Sequence, residues 1–319
     1  MDEKPRILTV AIWTAAIACG FWTLGVLFNP VSGLLCSLVF LAAAIGLAKG
    51  SRWAGHGCAL FLGANAVGLI AAGIQEGGLR LVEISVIAVL IGGFAFLLFR
   101  AGDAAPNPSP TFAPAWIGLA VLATVFWVMF RPFSQPTGSM EKTLLIGDTI
   151  LVRTLSVSKP SRGDLVVFHY PVDRQQTFLK RVAGVPGDRI RIERKELYLN
   201  GQRMVEPYKW NSTEYFDSYR DFFPSEPNVQ LFPQGQEMLA KHVVDGELVV
   251  PPGRYFVLGD NRDSSLDSRY WGFISESDII GRPVMVVSSA EVPTDRFVGE
   301  AKPTVVLTRM RWDRFFKPL

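Results

Sequence analysis

Long apolar runs dominate the first 130 residues of the chain. Five of them, at residues 7–28, 31–48, 53–75, 81–99 and 113–130, reach or approach the length needed to cross a membrane. Crossing roughly 30 Å of hydrocarbon takes about 20 residues of helix. The runs at 31–48 and 113–130 are the shortest, with 18 residues each, and the fourth holds Glu83 near its start. The first follows Lys4 and Arg6 and continues for 22 residues without a charge. A cleavable leader has a core of roughly 7–15 residues and a small-residue cleavage site, so this run reads as a retained span. Lys4, Arg6, Lys49, Arg52 and Arg100 lie on one side of the implied membrane and only Arg80 on the other. The positive-inside rule then places the N-terminus in the cytoplasm and, after five spans, the rest of the chain outside.

The pattern changes beyond residue 130. Short runs such as "DTILVR", "DLVVFHY", "DRIRIER", "ELYLNGQ", "RYFVLGD" and "RPVMVVSS" are rich in β-branched and aromatic residues and are bounded by Gly, Pro, Asp or Asn. They predict strands. Asn200-Gly201 predicts a type I′ hairpin. Long amphipathic helical patterns are missing, and residues 203–250 read as an irregular insertion. The expected fold is thus a helical transmembrane region at 1–130, followed by a mostly β extracytoplasmic domain at 131–319. A Pro-rich stretch, "APNPSPTF", precedes the fifth run, where Trp116 and Trp127 suit the two interfaces.

Charge follows the same division: 11 Asp, Glu, Lys and Arg fall in residues 1–130 and 50 in residues 131–319. The net charge of +3 comes from nearly balanced acid and base, which excludes a nucleic-acid-binding stripe. Cys19, Cys36 and Cys58 all lie in apolar runs and form no disulfide framework.

Candidate chemistry is sparse. The three histidines, His56, His169 and His242, share no motif with a nucleophile, and no His/Cys/Asp cluster has metal-ligand spacing. No cofactor or metal is expected. Ser139 sits in a Gly-supported bend, "PTGSMEK", at most roughly 27 Å of extended chain beyond residue 131. A lysine can serve such a serine as base if burial keeps it neutral. Lys180, in "QTFLKRVAGVPGD", lies in an apolar strand, with Arg181 on the opposite face. Pattern alone favours the reverse, with Lys180 solvated and Arg181 inward or half-buried. The stretch "VLGDNRDSSLDSRYWGFI" alternates acid and base and reads mainly as a loop tied by salt bridges.

Taken in order, "PTGSMEKTLLIGD", "RGDLVVFHYP", "KRVAGVPGD" and "GDNRDSSLDSRYWG" resemble the boxes of the bacterial type I signal peptidase (leader peptidase) family, whose peptidases use a Ser-Lys dyad. The resemblance covers residue 131 onward. It implies a membrane-bound serine endopeptidase of the bacterial cytoplasmic membrane, with its catalytic domain outside. Such an enzyme removes signal peptides from secretory preproteins after a small-x-small site, near the secretion translocon. It places Ser139 as nucleophile, Lys180 as general base, Ser265 as the hydroxyl orienting the lysine and Thr137 as an oxyanion donor. Phe133, Gln135, Met140, Leu144, Ile150, Val167, Phe178 and Leu179 fall on or near substrate-pocket positions. Lys142 stands where the family pattern has Pro, Gln135 is more polar than usual there, and five spans exceed the usual one or two. Two other readings are self-cleaving repressor-type peptidases, which lack membrane spans, and a polytopic membrane protein with a non-catalytic β-rich domain. The C-terminal "TRMRWDRFFKPL" interleaves Arg309, Arg311, Arg314 and Lys317 with Trp312, Phe315 and Phe316. That pattern suits either a lipid surface or an edge strand with a basic tail.

Overall fold

A computed structural model describes residues 3–25, 30–63, 78–106, 129–135, 137–154, 159–291 and 310–319. The chain forms two compact units, Met1–Phe130 and Arg131–Leu319.

The first unit is helical among its described residues: α1 (Glu3–Gly25), α2 (Pro30–Ala48), α3 (52–63) and α4 (Gly78–Ala104). Small side chains allow these helices to approach closely. Ala11, Ala15, Ala43, Ala54 and Cys58 are buried in one cluster with Val39, Leu47, Phe61 and Leu98. A Cβ at Gly46 would lie 2.4 Å from that of Ala54, so α2 meets α3 where only glycine fits. The outer faces remain apolar, with Trp13, Ile17, Val89 and Phe96 exposed. Among the described residues, no helix is long and apolar enough to cross a membrane. Most of the expected fifth span (113–130) and residues 64–75 of the third lie outside the described residues.

The second unit is mostly β, as its alternating runs predict. The larger sheet contains β1 (Phe130–Ser134), β2 (Asp148–Arg153), β3 (Leu165–His169), β4 (Thr177–Gly184), β10 (Arg254–Leu258), β11 (Ile274–Ser275), β12 (Ile279–Ser289) and β13 (Lys317–Pro318). Their order is β1-β2-β12-β3-β4-β10-β11, with β13 paired to β12. The β2–β12, β12–β3, β3–β4 and β4–β10 pairs are all antiparallel. A smaller sheet has the order β7-β6-β5-β9-β8, from β5 (Arg189–Glu193), β6 (Glu196–Leu199), β7 (Gln202–Arg203), β8 (Val243–Val244) and β9 (Glu247–Val249). Asn200 and Gly201 both have positive φ, 52° and 79°, and connect Leu199 to its partner Gln202 in the expected two-residue hairpin.

Residues 203–250 are more ordered than their sequence suggests. They contain the end of β7, then β8, β9 and a helix, α5 (Pro233–His242). Pro233 suits the first turn, where its missing N–H costs nothing. Gly235 lets the helix rest on the chain: a Cβ there would come within 2.3 Å of the Tyr270 carbonyl. Only Gly235 and Met238 are buried in α5, so no 3.6-residue apolar repeat marked it. A parallel bridge between Trp210 and Asn261 docks this region onto the acid-base loop after β10.

Candidate active site

The site is assembled from three separated stretches. The first is the turn after β1. Thr137 is extended, with φ −130° and ψ 155°, and leads into a single 3-10 turn, Gly138–Met140. The turn is tied down by the loop after β10: Asn261 N–H donates to the Ser139 carbonyl at 3.1 Å, and its Nδ2 to the Gly138 carbonyl at 3.2 Å. A Cβ at Gly259 would lie 2.5 Å from the Ser139 carbonyl oxygen, so the close approach requires glycine there. Ser139 is thereby held nearly buried, at 6% exposure.

Lys180 comes from β4, opposite Val166 of β3. It is 4% exposed, and its Nζ lies 2.7 Å from Ser139 Oγ. The solvated lysine favoured by pattern alone is therefore corrected, while Arg181 is half-buried. Arg181 instead turns to Asp260, to which its Nε and Nη2 donate at 2.7 and 2.6 Å. This bidentate pair absorbs the arginine charge away from the serine. Burial lowers the Lys180 pKa to about 8, against the opposing pull of Asp267 and Asp260. The nearby Arg269 lowers it further.

Thr137 Oγ1 lies 3.1 Å from Ser139 Oγ. Ser265 is buried nearby, but its hydroxyl has no hydrogen-bond partner among the described residues. The structure does not join it to Lys180. Burial alone would raise the nearby Asp267 carboxyl, but its pair with Arg269 holds it low.

Phe133, Met140, Leu144, Ile150, Val167 and Leu179 gather in one apolar cluster with Val152, Leu165 and Val286. Met140, Leu144 and Ile150 have no exposed surface, so they form its packed floor. Phe178 does not join them. It packs with the Val166 and Phe168 cluster and stacks on Tyr170 at 4.3 Å. Gln135 turns its amide to Thr137.

The histidines are engaged elsewhere. His56 Nε2 meets Asp103 at 3.2 Å, His169 Nδ1 meets the Arg174 carbonyl at 3.0 Å, and His242 packs edge-on against Phe273. Among the described residues no group of His, Cys, Asp and Glu could hold a metal ion.

Sequence reading missed Asp260 and Asn261 as organisers of the site. Asp260, fully buried, accepts from both Arg181 and the Thr143 hydroxyl, at 2.6 Å, and so links the lysine strand to the serine loop. The available clue was their place in the dense acid-base run. The expected salt bridges are there: Arg262 pairs with Glu206, Asp263 with Lys195 and Arg220, and Asp267 with Arg269. Lys142 places its ammonium 3.5 Å over the Trp210 ring, which holds the bend from the side.

A buried serine hydroxyl against a buried, depressed lysine is the constellation of a serine hydrolase. The model of the family described as signal peptidase, peptidase S26, matches residues 111–288. The chain belongs to that family, and it is a serine endopeptidase of signal-peptide processing. Among its relatives, a signal peptidase I from Pseudomonas fluorescens is 33% identical, over 52% of this chain and 67% of its own. One from Aquifex aeolicus is 32% identical, over 55% of this chain and 83% of its own. One from Buchnera aphidicola subsp. Acyrthosiphon pisum is 29% identical, over 55% and 73%.

Proposed function

We propose that the chain is a membrane-anchored endopeptidase that removes N-terminal signal peptides from secreted preproteins after a small-x-small site. The observation that carries this reading is the 2.7 Å approach of Lys180 Nζ to Ser139 Oγ, both side chains being buried. Ser139 Oγ attacks the scissile carbonyl carbon while the neutral Lys180 amine takes its proton. The lysine returns that proton to the leaving amine, and an ester joins the substrate's acyl group to Ser139. Water, deprotonated by the same amine, then hydrolyses the ester and regenerates the serine. Thr137 Oγ1–H and the Ser139 N–H stabilise the oxyanion at each tetrahedral stage. The apolar cluster against which Phe133 packs suits small apolar side chains of a substrate. Ser265 serves as the hydroxyl that turns to the lysine during turnover. The test is cleavage of a preprotein carrying a small-x-small site by the purified full chain. Ser139→Ala should cut at a rate lower by about 10⁴-fold or more. A variant that still cleaves would overturn the assignment.

The membrane reading places the helical unit in the bacterial cytoplasmic membrane, with the N-terminus cytoplasmic, the β-rich unit outside and the secretion translocon nearby. Its supports are the five apolar runs, their flanking basic residues, and the apolar outer faces around Trp13, Ile17 and Phe96. Lipid contact by the C-terminal tail rests on fewer groups than its sequence offers. Arg314 is buried against Asp148, with Nε 3.1 Å from Oδ1, and Arg311 donates to the Ile146 and Ala290 carbonyls. Trp312 and Phe316 remain exposed, and Phe315 stacks on Trp312 at 4.7 Å. Residues 131–319 expressed alone should therefore bind anionic liposomes, and Trp312→Ser with Phe316→Ser should release most of the bound protein. Residues 131–319 staying wholly in solution would assign this tail a structural role alone.

A further inference from the structure

Gln135 counts in sequence as a pocket residue, yet its amide is engaged elsewhere. The residue is 3% exposed. Its backbone is pinned on both sides: the N–H donates to the Asp148 carbonyl at 2.9 Å, and the C=O accepts from Gly147 N at 3.2 Å. Its side-chain Nε2 donates to the Thr137 carbonyl at 2.7 Å and lies 3.3 Å from Thr137 Oγ1. A carbonyl can only accept, so the atom facing it is the amide nitrogen, and the amide's orientation follows from chemistry. The second N–H of the same NH₂ then faces the Thr137 hydroxyl, which must accept it.

A hydroxyl that accepts on one side still has one proton to give. The remaining neighbour of Thr137 Oγ1 is Ser139 Oγ, at 3.1 Å. Ser139 Oγ, accepting from Thr137, directs its own proton to its other neighbour, Lys180 Nζ, at 2.7 Å. That amine is an acceptor when neutral.

We propose that Gln135 is a positioning residue that sets the direction of a hydrogen-bond chain from its own Nε2–H through Thr137 Oγ1–H and Ser139 Oγ–H to neutral Lys180 Nζ. The inference rests on the Ser139–Lys180 reading above. Gln135 donates at one end and the neutral amine offers a lone pair at the other, and each accepted hydrogen bond strengthens the next hydroxyl as a donor, so the two hydroxyls favour one proton direction. The serine proton already points to the base, and the threonine proton already points towards the reacting centre. When Ser139 Oγ bonds to the scissile carbon and its proton passes to Lys180, Thr137 swings the same O–H from Ser139 Oγ to the oxyanion. With an apolar side chain at 135 nothing biases the Thr137 hydroxyl towards donating, and it can accept from Ser139, which turns the serine proton away from its base.

The test is a double-mutant cycle in the full chain, read as kcat and KM on a preprotein and normalised to the folded fraction measured by thermal unfolding. Gln135→Met keeps the volume and removes the donor, and Gln135→Leu is the second variant should Gln135→Met fold poorly. Either should lower kcat about 3- to 10-fold, the effect of one neutral hydrogen bond, with KM unchanged. In a Thr137→Val background, which has no hydroxyl to orient but keeps the carbonyl, the same change at 135 should cost nothing further. Wild-type kcat in Gln135→Met and Gln135→Leu would overturn the proposal. So would an equal loss in both backgrounds, because that marks a merely structural role through the Thr137 carbonyl. Ser139→Ala, run in parallel, separates the two readings. Cleavage by Ser139→Ala removes the dyad itself, whereas an inactive Ser139→Ala beside a fully active Gln135→Met removes only the directed chain.

Discussion

Lys180→Arg should be as inactive as Lys180→Ala, each lower than wild type by about 10⁴-fold or more in kcat/KM. The two changes fail for different reasons. Alanine removes the base, whereas arginine keeps a cation within reach of Ser139 but cannot lose its proton in a protein. A positive charge beside the serine would therefore be insufficient, and a neutral amine essential. The wild-type pH profile carries the same information. Lys180 is lowered by burial to about 8, and the working form is the deprotonated one. Activity should thus be half-maximal at about pH 8, close to full above about pH 9, and fall roughly tenfold per unit well below about pH 8. Lys180→Met keeps the length of the side chain without an amine to desolvate, and it should fold at least as stably at neutral pH. Substantial cleavage by Lys180→Arg, or a flat profile from about pH 6 to 9, would remove the lysine from its role as base.

Thr137→Val should lower kcat by roughly 100–1,000-fold, with KM nearly unchanged. The hydroxyl lies beside the attacking oxygen, at 3.1 Å, so its interaction grows as charge moves onto the substrate oxygen. A ground-state contact would appear in KM instead. Valine is close to threonine in shape, so packing around the turn should survive. Thr137→Ser restores the hydroxyl and should recover most of the loss. Wild-type kcat in Thr137→Val would leave the oxyanion to backbone donors alone.

Much of the β-rich unit was legible because its cues are local. The run "DTILVR" became β2 at Asp148–Arg153, whose β-branched and aliphatic residues favour a strand wherever they are packed. Asn200-Gly201 specified its hairpin because both residues tolerate positive φ. Ser139 and Lys180 were legible only through the order of four short boxes and their resemblance to a family. The helix α5 escaped because ten residues with two buried positions carry no usable period.

The choice between Lys180 and Arg181 could not be made locally. Both stand in the same apolar strand, and strand geometry requires only that they face opposite sides. The deciding partner of Arg181 is Asp260, 79 residues further along, and that of Lys180 is Ser139, 41 residues back. Phe178 and Leu179 were separated in the same way, into clusters on different sides of the sheet. The sequence by itself determined the division at residue 130, the β character of the second unit, and the residue types able to do serine chemistry. Only the tertiary structure decided which cation is buried and depressed, and that Gln135 faces Thr137. Desolvation and hydrogen-bond direction depend on groups brought together from distant parts of the chain, and no local pattern contains them.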